Sequence, residues 1–159
     1  MKTKLFIAAS CALMLIAAGC KDKAPVEPEL EPITGNTEKP SWTAPESYDM
    51  TASMTAVVKV DLSQTYPQQV AKEEWKTGEG DLLAAFSGET CVGVDTLEAD
   101  RTDLFFLYIA GLNEGNNEDI QLRYYSKQLK NIFTATELIP FSNDAQKGSV
   151  SEPYSPEFK

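Results

Sequence analysis

From position 51 onward, apolar and polar side chains alternate. Ala52, Met54, Ala56, Val58 and Val60 fall between Thr51, Ser53, Thr55, Val57 and Lys59. A period of two sustained over this stretch predicts a half-buried β-strand. Residues 82–86 and 91–94 flank Gly88-Glu89, the pattern of a hairpin with a glycine-containing turn. Residues 104–110 are apolar on both faces and short for a buried helix, so they predict a central strand. Ile120, Leu122 and Tyr124 alternate with Gln121, Arg123 and Tyr125, and residues 132–139 form another β-rich run that ends at Pro140. Polar turns lie at 111–119 and 142–144. No proline falls between Gln68 and Ile139, as expected where central strands must donate every ladder hydrogen bond. Residues 66–80 break the pattern. Their helix formers and weak apolar face at Val70, Ala71 and Trp75 predict one short helical turn or ordered loop near 67–77. The expectation is an all-β fold over residues 48–159, an immunoglobulin-like antiparallel β-sandwich. Met54, Ala56, Val58, Phe86, Phe106, Leu122 and Tyr124 are expected inside.

The first 19 residues have a different character. Lys2 and Lys4 precede an apolar run over 5–18. A spanning helix needs about 20 apolar residues, so this run reads as a signal-peptide core. Ile16-Ala17-Ala18-Gly19-Cys20 resembles a bacterial lipobox. Small side chains let an extended backbone enter the peptidase, and the Cys20 thiol is the nucleophile that takes the lipid. An ordinary secretory signal cut after Ala18 or Gly19 would share the small residues. It would not share a Cys at the junction followed at once by a polar linker. The resemblance implies a lipoprotein whose diacylglyceryl and fatty-acyl (palmitate-type) chains hold it on a membrane. Lys21 follows the Cys where inner-membrane retention in enteric-type bacteria favours Asp, and Lys21-Asp22-Lys23 looks like the charged tracts that direct Bacteroidota lipoproteins to the cell surface. The expected address is therefore the outer membrane, exposed at the cell surface.

Residues 20–47 carry the lipidated Cys and a tether. Pro25, Pro28, Pro32, Pro40 and Pro45 are five of the chain's nine prolines, interleaved with Glu27, Glu29 and Glu31. Proline fixes φ and bars its predecessor from the helical region. The segment reads as a stiff polyproline-like spacer, reaching on the order of 80 Å at about 3.1 Å per residue.

Composition narrows the chemistry. The whole chain has 14 Lys plus Arg against 24 Asp plus Glu, a charge of −10. Losing Lys2 and Lys4 with the signal leaves 12 against 24, or −12. Such a surface should repel nucleic acid and anionic headgroups. Binding by such a surface is expected to rest on stacking and hydrogen bonds and to depend weakly on salt. Histidine is absent, which removes the usual general base and the commonest metal ligand. Nucleotide-binding glycine patterns and the Gly-x-Ser-x-Gly elbow are absent too. No metal and no cofactor is expected. Cys91, the one thiol left in the domain, is expected to be a small buried hydrophobe.

Met54-Thr55-Ala56-Val57-Val58, Asp81-Leu82-Leu83-Ala84-Ala85-Phe86, Gly88-Glu89-Thr90-Cys91-Val92-Gly93-Val94, Leu104-Phe105-Phe106-Leu107 and Ile120-Gln121-Leu122-Arg123-Tyr124-Tyr125 occur in that order. Together they resemble a β-sandwich module of secreted and lipid-anchored Bacteroidota proteins. The likeness covers most of 50–140 and departs at Val92, where the module more often has Arg, and in the long 66–80 insertion. It implies an extracellular module of no assigned activity. Independently of it, Gly93 within a strand predicts a bulge or a close backbone approach.

The best binding candidates are aromatic. Trp42, Tyr66, Trp75 and Tyr125 are expected on loops, at the tether's end or on an outward strand face, where such rings stack on sugars and anchor interfaces. The function expected is a lipid-anchored, non-catalytic surface module that binds a glycan or a partner protein. A structural subunit of an envelope assembly and a carboxylate-based hydrolase are the alternatives. An aromatic platform would favour the first, an open sheet edge the second, and two carboxylates in one cleft the third.

Overall fold

The computed structural model describes residues 33–45, 49–101, 103–112 and 119–159, and among these seven strands and one helical turn make up the regular structure. In chain order they are β1 (Asp49–Lys59), α1 (Pro67–Lys72), β2 (Leu82–Ser87), β3 (Thr90–Thr96), β4 (Leu104–Gly111), β5 (Ile120–Ser126), β6 (Asn131–Ile139) and β7 (Gln146–Lys147). The strands form a three-stranded sheet, β4-β1-β7, and a four-stranded sheet, β3-β2-β5-β6. Every pairing is antiparallel except β1 with β7. The architecture is an all-β sandwich. The signal region, Cys20 and most of the tether lie outside the described residues.

The alternation in β1 does what period two requires. Met54, Ala56 and Val58 point inward and pair with Ile109, Leu107 and Phe105 of β4. They meet Leu83 and Ala85 of β2, Leu122 and Tyr124 of β5, and Phe133 of β6 in one core cluster. Phe86 is also buried. Phe106 is a correction: expected inside, it is 45% exposed. The run Leu104-Phe105-Phe106-Leu107 is apolar at every position, so alternation alone could not say which face is inner. The ladder to β1 decides it, sending Phe105 and Leu107 inward and Phe106 out, where the Arg101 guanidinium sits 5.2 Å from its ring centroid. β4 is likewise not central within its sheet: it ends the β4-β1-β7 order.

Its far side is nonetheless covered, because β3 lies against it. The register of β2 with β3 shifts between Ala85 and Phe86, so Val92 is bulged and fully buried. At the next residue, an ideal Cβ on Gly93 would stand 2.4 Å from the Tyr108 carbonyl oxygen. Only glycine lets the two backbones approach so closely. The Asp95 carboxylate then stitches this rim. It accepts the Phe106 N–H at 2.7 Å and a bidentate pair of bonds from Arg101 at 2.9 and 2.8 Å.

The opposite rim is closed by the C-terminal segment. Tyr154 exchanges backbone hydrogen bonds with Val57 and Lys59 of one sheet. Lys159 exchanges a pair with Thr134, and Thr136 N–H donates to Glu157 O. Between them Phe158 is fully buried in the core.

A third strap lies at the start. In residues 33–45, half-buried Pro40, Trp42 and Ala44 alternate with exposed Lys39, Ser41 and Thr43. Thr37 N–H donates to Lys130 O at 2.9 Å, and the Trp42 ring meets Phe86 edge-on at 5.7 Å. This end of the segment read as tether thus packs on the domain. The helix predicted near 67–77 is the shorter α1. It stops at Glu73 because Glu74 takes a φ of 47°, in the left-handed region that no helix continues through.

Candidate functional site

The loop after α1 carries the one half-exposed tryptophan that faces a cleft. Several bonds fix it from below. The Trp75 N–H donates to Val70 O at 3.0 Å, and its indole Nε1–H donates to Ser126 Oγ at 3.2 Å. The Gln128 side chain holds the loop at both ends: its amide donates to Glu73 O at 2.6 Å, and its Oε1 accepts the Lys76 N–H at 3.3 Å. The ring also packs edge-on against Tyr124 at 6.4 Å.

Below the loop lies a buried polar knot. Asp81 is 2% exposed. Its carboxylate accepts from Tyr124 Oη at 2.5 Å, from Lys127 N–H at 2.8 Å and from Gly78 N–H at 2.9 Å. A buried carboxylate needs such partners, and these bind the insertion to the end of β5. Burial, reinforced by the Asp81 charge, pushes the Tyr124 phenol far above its ordinary range.

Above the loop is a cleft of about 380 Å³ lined by Lys59, Val60, Asp61, Trp75, Lys76, Thr77 and Asp103. Lys59 Nζ and Asp103 Oδ2 stand 2.8 Å apart, each side chain about half exposed at 48%. The hydrogen bond to Asp103, with its charge, raises the Lys59 pKa. Asp61 Oδ1 accepts the Ser63 N–H at 2.8 Å. The cleft therefore offers a rigid aromatic wall, two ammonium groups, two carboxylates and a hydroxyl, open to solvent. That set can stack on an apolar ring face and hydrogen-bond hydroxyls around it.

Of the four aromatics expected to bind, only Trp75 lines this cleft. Tyr66 is a correction: it is 3% exposed and belongs to the core, edge-on to Phe133 at 5.4 Å. Tyr125 is a second correction, at 4% exposure. It pairs with Leu82 on the outer side of the four-stranded sheet, and that side is covered, not solvated. Trp42 is half-buried against Phe86 within the strap. Lys59 and Asp61 sit together at the end of β1, but Asp103 reaches the cleft from the start of β4, and no spacing in the sequence links it to them.

Cys91 is half-buried, its Sγ 3.5 Å from Gly93 O, and burial pushes its thiol pKa up. That is opposite to what a nucleophilic thiol requires. Among the described residues no three Cys, Asp or Glu side chains are grouped to hold a metal, and no described helix is long and apolar enough to cross a membrane. Compared with protein-family models, curated proteins and solved structures, the chain matches none.

Proposed function

We propose that this is a lipid-anchored, non-catalytic module of the outer membrane, displayed at the cell surface, that binds a glycan in the cleft at Trp75. The observation that carries the reading is the Trp75 ring. It is held rigid by Ser126, Val70 and the Gln128-pinned loop, yet keeps one side toward a polar cleft. A pre-ordered aromatic wall loses little entropy on binding. The lipobox-like Ile16-Ala17-Ala18-Gly19-Cys20 supports the anchor. Two or three acyl chains, at about 0.8 kcal/mol per buried methylene, hold a protein durably.

The immunoglobulin-like assignment belongs to this proposal too. Reading β1 as strand B and β4 as strand E makes the other sheet C′-C-F-G, in the order β3-β2-β5-β6. β7 lies beside B, where strand A sits in that fold, but departs from it by following G and running parallel to B.

Oligosaccharide binding tests the site. Against the full chain in detergent micelles, Trp75→Ala is expected to weaken binding by about 2 kcal/mol, the scale of an aromatic anchor. Trp75→Phe, which keeps packing over Tyr124, should lose less. If calorimetry finds both variants binding as the parent does, the cleft is not the site. For the anchor, Cys20→Ser is expected to leave the protein unprocessed or move it to the soluble fraction. Partition with membranes after signal removal would contradict that.

A carboxylate-based hydrolase is the second reading, favoured by Asp61 and Asp103 lining one cleft. Both carboxylates already have partners in Ser63 and Lys59, which counts against it. Release of reducing ends, lost in Asp61→Asn, would establish it. Assembly by strand addition has less support, since β3 lies against β4 and the C-terminal segment pairs with β6.

A further inference from the structure

The Trp75 cleft does not end at Lys76. Lys76 also lines a neighbouring cleft of about 300 Å³ with Lys127 and Gln128. Gln128 in turn lines a third, of about 420 Å³, with Lys72, Lys130 and Gly35 of the strap. Neighbouring clefts share one side chain each, Lys76 and then Gln128. We propose that the three act as one trough around the Trp75 loop and that its ligand is a linear acidic sugar chain, a polyuronide that spans them; this rests on the glycan reading above.

Charge distribution carries the argument. Residues 33–159 contain 10 Lys plus Arg and 20 Asp plus Glu. Five of those cations, all lysines, line the trough, against the five acids Asp61, Glu73, Glu79, Asp81 and Asp103. The strongly negative balance of the chain therefore vanishes here. Of the five acids, Asp81 is buried under three neutral donors, Asp103 is paired to Lys59, and Glu73 lies 3.9 Å from Lys72. Among the described residues Lys76, Lys127 and Lys130 make no ion pair. Three acids, Asp61, Glu79 and the buried Asp81, likewise have no cation partner, so the trough as a whole is balanced where the rest of the chain is negative.

Lys127 is also positioned. Its stem crosses Gly80, whose ideal Cβ would stand 2.9 Å from Lys127 Cδ, and its Nζ donates to Glu79 O at 3.3 Å. A chain bearing one carboxylate per sugar meets ammonium groups in all three clefts and an aromatic wall in one. A neutral sugar would leave the lysines unused.

The test uses the full chain in detergent micelles, with tetragalacturonate and its fully methyl-esterified form as probes. The two share backbone and length and differ in charge. The acid form is expected to bind at least tenfold tighter at low salt, and raising salt should weaken it several-fold. The paired variant Lys76→Gln with Lys127→Gln should remove that preference while leaving the thermal midpoint unchanged. Digalacturonate, too short for three clefts, should bind at least tenfold more weakly than the tetramer. Equal binding of the acid and ester forms overturns this inference and leaves the glycan reading standing. Binding of neither also overturns this inference, while the glycan reading stands or falls by the Trp75 variants.

Discussion

Replacing Asp81 by Ala is expected to destabilise the fold by about 3–5 kcal/mol, enough to unfold a marginally stable domain. The substitution strands the buried Tyr124 hydroxyl and the part-buried N–H groups of Gly78 and Lys127 at once. Each unsatisfied buried group costs about 1–3 kcal/mol, and water entering the gap recovers part. Asp81→Asn keeps one acceptor oxygen and should lose about half as much. Urea unfolding with fluorescence detection measures both. A loss below about 1 kcal/mol for Asp81→Ala would mean the knot does not hold the insertion. The same knot sets an alkaline limit. The Tyr124 phenol is raised well above 10.0 by burial and by Asp81, so the folded state favours the neutral form. That contribution is fully present below pH 10 and is lost as pH rises beyond it, by up to about 1.4 kcal/mol per unit. Tyr154, pushed up to about 12 by burial and Glu137, adds a smaller loss between 10 and 12. Tyr124→Phe should flatten the steeper part of that decline.

Leu122→Ala should cost about 2–5 kcal/mol, toward the upper end. Leu122 is fully buried, and its cross-strand neighbour on β2 is Ala85. The deletion would put two small side chains side by side at the middle of the inner face. No flexible neighbour there on the ladder can swing in to fill the void, and an unfilled void is what raises the price of such truncations. Urea denaturation with an unchanged slope and a lowered midpoint is the expected record. Circular dichroism of the parent should show β-structure with little helix. A helix-dominated spectrum would contradict the fold, and a shift under 1 kcal/mol would place Leu122 outside the core.

The two kinds of information in the sequence differ in range. Period two is local, so β1 and β5 could be read from it directly, and the β2–β3 hairpin from the glycine in its turn. Where every residue is apolar, as around Phe105 and Phe106, local pattern has no phase, and only the ladder to β1 supplies one. Tyr125 shows a second limit. Its outward direction follows from alternation, but its burial depends on what covers the outer side of the sheet. Proline content in 33–45 describes backbone stiffness equally well for a free spacer and for a docked strap. The contact of Trp42 with Phe86 decides between them. For the site, Trp75 stood out because a large ring among Glu73, Glu74 and Lys76 is hard to bury. Lys59, Asp103 and Lys130 did not, since their meeting is a property of the fold. The net charge also concealed the local one: a sum of −10 says nothing of where its few cations gather.

The docked strap changes how far the domain can stand from its proposed anchor. With residues 33–45 held on the sandwich, the leash is the chain from Cys20 to Ile33. Fully drawn out at about 3.1 Å per residue, that leash is on the order of 40 Å, half the reach of the whole proline-rich segment. Its point of attachment matters as much as its length. Ile33, Thr34 and Gly35 form a wall of the third cleft, so the leash departs from the lip of the trough. Whatever path residues 21–32 take, that end of the trough is kept within leash length of the bilayer.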